Sequence, residues 1–180
     1  MDMKEYLDAM GILGCNVNPW LPALDDVGLC WKDMTQALDR HEFFYTKAYR
    51  RGVAYLSPQV YYLLKRCRPQ KPMTGDAAAI YALLEQAGPM ETEDLRRLSG
   101  LPMPGYVKAF DFLLENLYVT ALRNGHYINE NWSGLFYCTA AAWEAFVPAP
   151  EPPGDPEAAL RAILGRSLPE AEVARLLRGA

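Results

Sequence analysis

Histidine is nearly missing from this chain: His41 and His126 are the only two in 180 residues. The four cysteines, Cys15, Cys30, Cys67 and Cys138, are scattered and form no C-x-x-C and no Cys/His cluster. Neither a zinc site nor a small disulfide scaffold is therefore expected. G-x-S-x-G and G-x-x-x-x-G-K-[ST] are both absent, which removes two common signatures of a nucleophilic serine and a phosphate cradle. The run Gly100-Leu101-Pro102-Met103-Pro104-Gly105 reads instead as a helix-to-helix turn. No apolar run approaches the roughly 20 residues a membrane span needs, and the start lacks a basic segment leading into an apolar one. The expectation is a reduced, cytoplasmic protein with no membrane association, no metal and no cofactor.

What is present is enough for a folded core. Half of the residues (51%) are hydrophobic and 22% are charged, with a formal net charge of −4. That composition excludes disorder and a globally basic nucleic-acid binder. The charge is unevenly placed. Residues 40–71 hold eight bases and one acid, whereas 74–146 hold four bases and nine acids.

The second stretch has a definite order. Ile80, Leu83, Leu84 and Ala87 repeat at helical spacing, with Thr74 as the expected N-cap and Gly88-Pro89 as the stop. A second helix opens at Thr92, with Glu93 and Asp94 in its first turn, and stops at Ser99-Gly100. A third begins near Pro104 and should turn Val107, Phe110, Leu114 and Leu117 inward. Then the period changes. Tyr118–Arg123 reads as a strand, Asn124-Gly125 as a hairpin turn, His126–Ile128 as the return with His126 at the tip, and Leu135–Thr139 as a further strand. Three helices and a hairpin are the order of a winged helix.

Earlier in the chain, Trp31, Met34 and Leu38 suggest a helix ending near Arg40. Phe43–Tyr49 and Val53–Leu56 read as two strands turned by Arg51-Gly52, or as a continuing helix. Ser57-Pro58 opens another helix through Val60, Leu63, Leu64 and Cys67. Four prolines in residues 147–154 make a stiff linker. Beyond it, Asp155-Pro156 and the capping-box pattern Ser167-Leu168-Pro169-Glu170 each start a helix. The expected architecture is mainly α with small β-hairpins (α+β). It comprises an N-terminal helix–hairpin–helix module (1–73), a winged helix-turn-helix (74–146), the linker, and a C-terminal helical hairpin (155–180).

Candidate function follows the charge. Phosphate contact supplies most nucleic-acid affinity, and the acidic winged module is poorly placed to make it. The basic stretch 40–71 is better placed, because Phe43, Phe44, Tyr45, Tyr49, Tyr55, Tyr61 and Tyr62 interleave with its cations as stacking faces would. The competing reading makes those rings core and the cations a helix C-terminus. The DNA-contacting set is expected to be Lys47, Arg50, Arg51, Lys65, Arg66 and Arg68, with Lys108 and Arg123 assisting. Trp20, Trp132 and Trp143 read as core or interface, and Asp25-Asp26 as a solvated cap. A homodimer or a protein partner is the alternative to DNA.

The runs Trp31-Lys32-Asp33, Phe44-Tyr45-Thr46-Lys47 and Leu56-Ser57 resemble the bacterial AlkZ-related proteins, short relatives of the winged-helix DNA glycosylases. Ile80-Tyr81-Ala82-Leu83-Leu84 and Phe136-Tyr137-Cys138 carry the same resemblance. It spans about residues 30–146 and implies a winged-helix fold with an ancestral link to DNA. It does not carry activity with it. The enzymes use Gln-x-Gln or Gln-x-Asp, and none of Gln36, Gln59, Gln70 and Gln86 stands in such a motif. No catalytic residue is expected. A DNA-repair glycosylase-like enzyme acting on alkylated bases is the further alternative; it would have to extrude the base into a pocket and activate water there.

Overall fold

Local chemistry starts the chain cleanly. Asp2 and Glu5 cap each other reciprocally at the head of α1 (Met3–Met10), and Gly11 ends it in the left-handed region. Gly11 is also a close approach, since a Cβ there would sit 2.7 Å from Ile163 and 2.8 Å from Val60. In the computed structural model, which describes residues 1–73, 75–130 and 132–179, β1 (Ile12–Gly14) follows directly. A short 3-10 turn (Asp25–Val27) and α2 (Trp31–Asp39) come next. Then β2 (Phe44–Tyr49) and β3 (Gly52–Leu56) form a hairpin, and α3 (Pro58–Cys67) is capped by the Ser57 hydroxyl. These strands make an antiparallel sheet in the order β1-β3-β2.

The second half runs α4 (Gly75–Ala87), β4 (Met90–Glu91), α5 (Thr92–Ser99) and α6 (Met103–Glu115). The long strands β5 (Val119–Asn129) and β6 (Trp132–Thr139) and the helix α7 (Ala140–Phe146) complete it. Its sheet is antiparallel with order β4-β6-β5. Past the proline-rich linker, α8 (Pro156–Leu164) and α9 (Glu170–Arg178) form the C-terminal hairpin. The fold is mixed α+β.

The apolar core crosses the sequence boundaries. One cluster joins Met34, Leu38 and Phe43 to Ile80, Leu84, Phe110 and Leu114. A second joins Phe44 and Tyr61 to Trp143 and then to Leu160, Leu164, Val173 and Leu176 of the C-terminal hairpin. Phe44 stacks on Tyr61 at 3.8 Å and meets Trp143 edge-on at 5.1 Å.

Several expectations are corrected. Asn124-Gly125 is not a turn: β5 runs through it, and Gly125 lacks the positive φ that a type I′ turn needs. Glycine stands there because β6 passes close by, so that a Cβ would lie 2.6 Å from the Gly134 carbonyl. His126 accordingly lies within the strand rather than at a tip, and β5 pairs with β6 as far as Asn129 opposite Trp132. In the first hairpin the turn residues are Arg50 and Arg51, at φ 52° and 57°, rather than Arg51 and Gly52. Val107 is exposed, because the buried face of α6 is Tyr106, Ala109, Phe110, Leu113 and Leu114. Ser167 does not cap α9. Its hydroxyl donates to the Met10 carbonyl, and Pro169 takes the cap position. Thr74 lies outside the described residues.

Gly125→Ala should lower stability by about 1–3 kcal/mol, the range for overpacking a closed site. Urea denaturation compared with wild type measures it.

Candidate interaction surface

The eight expected DNA-contacting cations divide by what they touch. Lys47 donates to Asp111 Oδ1 on α6 at 2.7 Å. Arg50 makes a two-pronged contact with Glu172 on α9, Nε and Nη2 each at 2.8 Å, and its guanidinium lies 4.0 Å over the Trp20 ring. Lys65 donates to Glu144 Oε1 at 2.6 Å, and the Tyr61 hydroxyl donates to the same oxygen at 2.7 Å. Arg51 is 86% exposed with Glu115 at 3.8 Å. Arg66 and Lys108 are exposed, and Arg123, also exposed, covers the Phe136 ring at 4.2 Å. Arg68 is buried.

The opposite charges of the two stretches therefore meet. Asp111, Glu115 and Glu144 of the acidic stretch face Lys47, Arg51 and Lys65 of the basic one. The interleaved aromatics are no stacking platform: Phe43, Phe44, Tyr45, Tyr49, Tyr55 and Tyr61 are buried, and Tyr62 is half-buried. Of the tryptophans, Trp143 is core whereas Trp20 and Trp132 are exposed. Sequence reasoning missed Glu172. Its only signal was as one of two acids, with Glu170, in the first turn of α9, and nothing local links residues 122 positions apart.

Two groups of exposed apolar side chains stand out among the described residues. Leu98 at the end of α5 and Met103 and Val107 on α6 are exposed apolar side chains. Along β5 and β6, Tyr127, Ile128 and Trp132 are exposed as well. The β5–β6 arm is held back against α2. The Thr35 and Tyr127 hydroxyls are hydrogen-bonded at 2.9 Å, Trp31 Nε1 donates to Ser133 Oγ at 3.0 Å, and the Asn124 N–H donates to Asp39 at 2.7 Å.

Burial pushes the thiols of Cys15, Cys67 and Cys138 up, the last to about 12, so none is an activated nucleophile. Burial lowers the His41 pKa, and its ring packs on Phe146 at 4.5 Å. His126 Nδ1 lies 3.2 Å from Glu91. A cleft of about 540 Å³ between β3 and the β6 arm is lined by Cys15, Asp25, Cys30, Trp31 and Trp132 among others. Among the described residues no group of three or more His, Cys, Asp or Glu could hold a metal ion. None of the described helices is long and apolar enough to cross a membrane. No family model, curated protein or solved structure matches the chain.

The Arg50–Glu172 contact carries a pH signature. Hydrogen bonds from Arg50 and Tyr49 hold the Glu172 carboxyl at about 2, below its ordinary 4.5. A depressed carboxylate contributes stability that is present above its unfolded value and lost as pH falls through the folded one. The stability gap between wild type and Glu172→Gln should thus be full at about pH 7 and close between pH 4.5 and 2. Urea titrations across that window test this.

Proposed function

We propose that residues 75–139 form a winged helix-turn-helix and that the protein is a non-catalytic assembly module. Its α5–α6 face takes a second copy of the chain. The winged reading is supported by the order helix, short strand, helix, helix, strand, strand, with β4 pairing beside β6. The resemblance to AlkZ-related proteins belongs to the same proposal.

The observation that carries the docking reading is the outer side of α6. A groove-reading helix would offer cations there, but this one offers Met103 and Val107 with Lys108 as its single base. Self-pairing is favoured by the charge order of α5. Glu93 and Asp94 stand at its start and Arg96 and Arg97 at its end. In a two-fold contact each patch meets its own copy, so antiparallel α5 helices crossing near their middle would bring the acidic end of each to the basic end of the other.

DNA contact is the second reading, favoured by one observation. The hairpin tip presents Arg51 on a backbone strained for a non-glycine residue, and such strain tends to persist at functional positions. Light scattering should give a mass twice that of the 20.2 kDa chain. Met103→Asp with Val107→Asp should then weaken association by about tenfold or more. Labelled duplex titrated at two salt concentrations should show no specific binding near physiological salt. A monomer that binds duplex with a steep salt slope, reduced in Arg51→Ala, would replace the first reading with the second.

A further inference from the structure

One buried cation of the basic stretch has no ion pair among the described residues. Arg68 is 9% exposed, and Nη1 of its guanidinium is enclosed without a hydrogen-bond partner among the described residues. Buried charges in proteins are normally paired, because an isolated ion is expensive to remove from water. A guanidinium also presents five N–H donors in a fixed fork, so an unmatched one leaves much unsatisfied.

The surroundings explain why the protein does not satisfy it. Arg68 caps the C-terminal end of α3 on extended backbone before Pro69. On one side Gly179 closes over the group so tightly that a Cβ there would lie 2.8 Å from Arg68 Nε. On the other is a cleft of about 230 Å³ between α3, α4 and α7, walled by Lys65, Gln70, Tyr81, Tyr118 and Glu144 together with Arg68 itself. Glu144 is the carboxylate of that wall. It is already engaged by Lys65 at 2.6 Å and by the Tyr61 hydroxyl at 2.7 Å. Glu115 also influences Arg68, but it lies within 3.8 Å of Arg51. The cleft therefore holds two cations against one anion. Leu117, another lining residue, adopts a left-handed φ of 62°, a strained conformation for its side chain.

We propose that this cleft binds an oxyanion, a phosphate or carboxylate group carried on a small molecule, with Arg68 as the anchoring cation and Gln70 at the rim. Planar oxyanions and phosphates match the guanidinium fork. The aromatic walls Tyr81 and Tyr118, whose rings meet edge-on at 6.1 Å, give the rest of the ligand an apolar surface. The site is independent of the α5–α6 face, so its failure would leave the assembly reading untouched.

The test is an amide-shift titration of the full chain with inorganic phosphate and, separately, with acetate, at constant ionic strength set by chloride. The expected result is saturable shifts at Gln70, Leu117 and Tyr118, with a dissociation constant on the order of 1 mM or tighter for at least one anion. Phosphate preference would identify a phosphorylated ligand, and acetate preference a carboxylated one. Arg68→Gln should weaken binding by about tenfold or more. Lys65→Gln, which leaves Arg68 in place, should retain the shifts at reduced affinity and serves if Arg68→Gln does not fold. Absence of saturation by either anion in wild type would overturn the proposal. So would shifts clustered away from the cleft, or unchanged affinity in a folded Arg68→Gln protein.

Discussion

Two edge strands meet in this protein without sharing a ladder. β2 ends one sheet and β5 ends the other, and the Thr120 side chain joins them. Its hydroxyl accepts from the Tyr45 N–H and donates to the Tyr45 carbonyl, both at 2.9 Å and both buried. One residue along, the Thr46 hydroxyl donates to the Leu114 carbonyl at 2.9 Å and accepts from the Ala48 N–H at 3.0 Å. Edge strands expose backbone donors and acceptors that invite foreign pairing, and a buried one left unpaired costs about 1–3 kcal/mol. Two threonines settle both problems at the junction.

The charge pattern follows from this seam. Once β2 lies against α6 and β5, Lys47 falls beside Asp111, and α3 is brought to α7 so that Lys65 reaches Glu144. The hairpin that extends from β2 reaches α9, where Arg50 grips Glu172 between Tyr49 and Trp20. Part of a charge asymmetry that suggests an external polyanion when read along the chain is internal complementarity in space. Arg68 is the buried exception within the basic stretch: it lines the same cleft as Glu144, but that carboxylate is already taken by Lys65 and Tyr61.

Sequence logic read the elements that carry their own punctuation. Ser57-Pro58 opens α3 and Gly88 closes α4 at φ 81°. The three helices followed by strands in 75–139 are observed, although β4 was not expected and the strand and return expected at 118–123 and 126–128 are the single strand β5. Two-residue β4 was invisible because pairing with β6 alone defines it. The Asn124-Gly125 signal misled because glycine serves two physical ends: positive φ in a turn, and absent bulk where backbones crowd. α1 and β1 went unread, since β1 is only three residues long and buried throughout, without the alternation that marks a half-buried strand. At the site, residue types in 40–71 revealed cations and rings, but which cations would be paired depended on partners more than 60 positions away.

The most direct measurement is native-state hydrogen exchange on Thr120→Val, a nearly isosteric change that leaves the Tyr45 N–H and carbonyl without partners. If the seam makes the two sheets one cooperative unit, protection should fall together in β2–β3 and β5–β6, by an amount equivalent to about 1–3 kcal/mol. Loss confined to the Tyr45 amide, or unequal loss in the two sheets, would contradict that, and the halves would then be separately stable modules that merely touch.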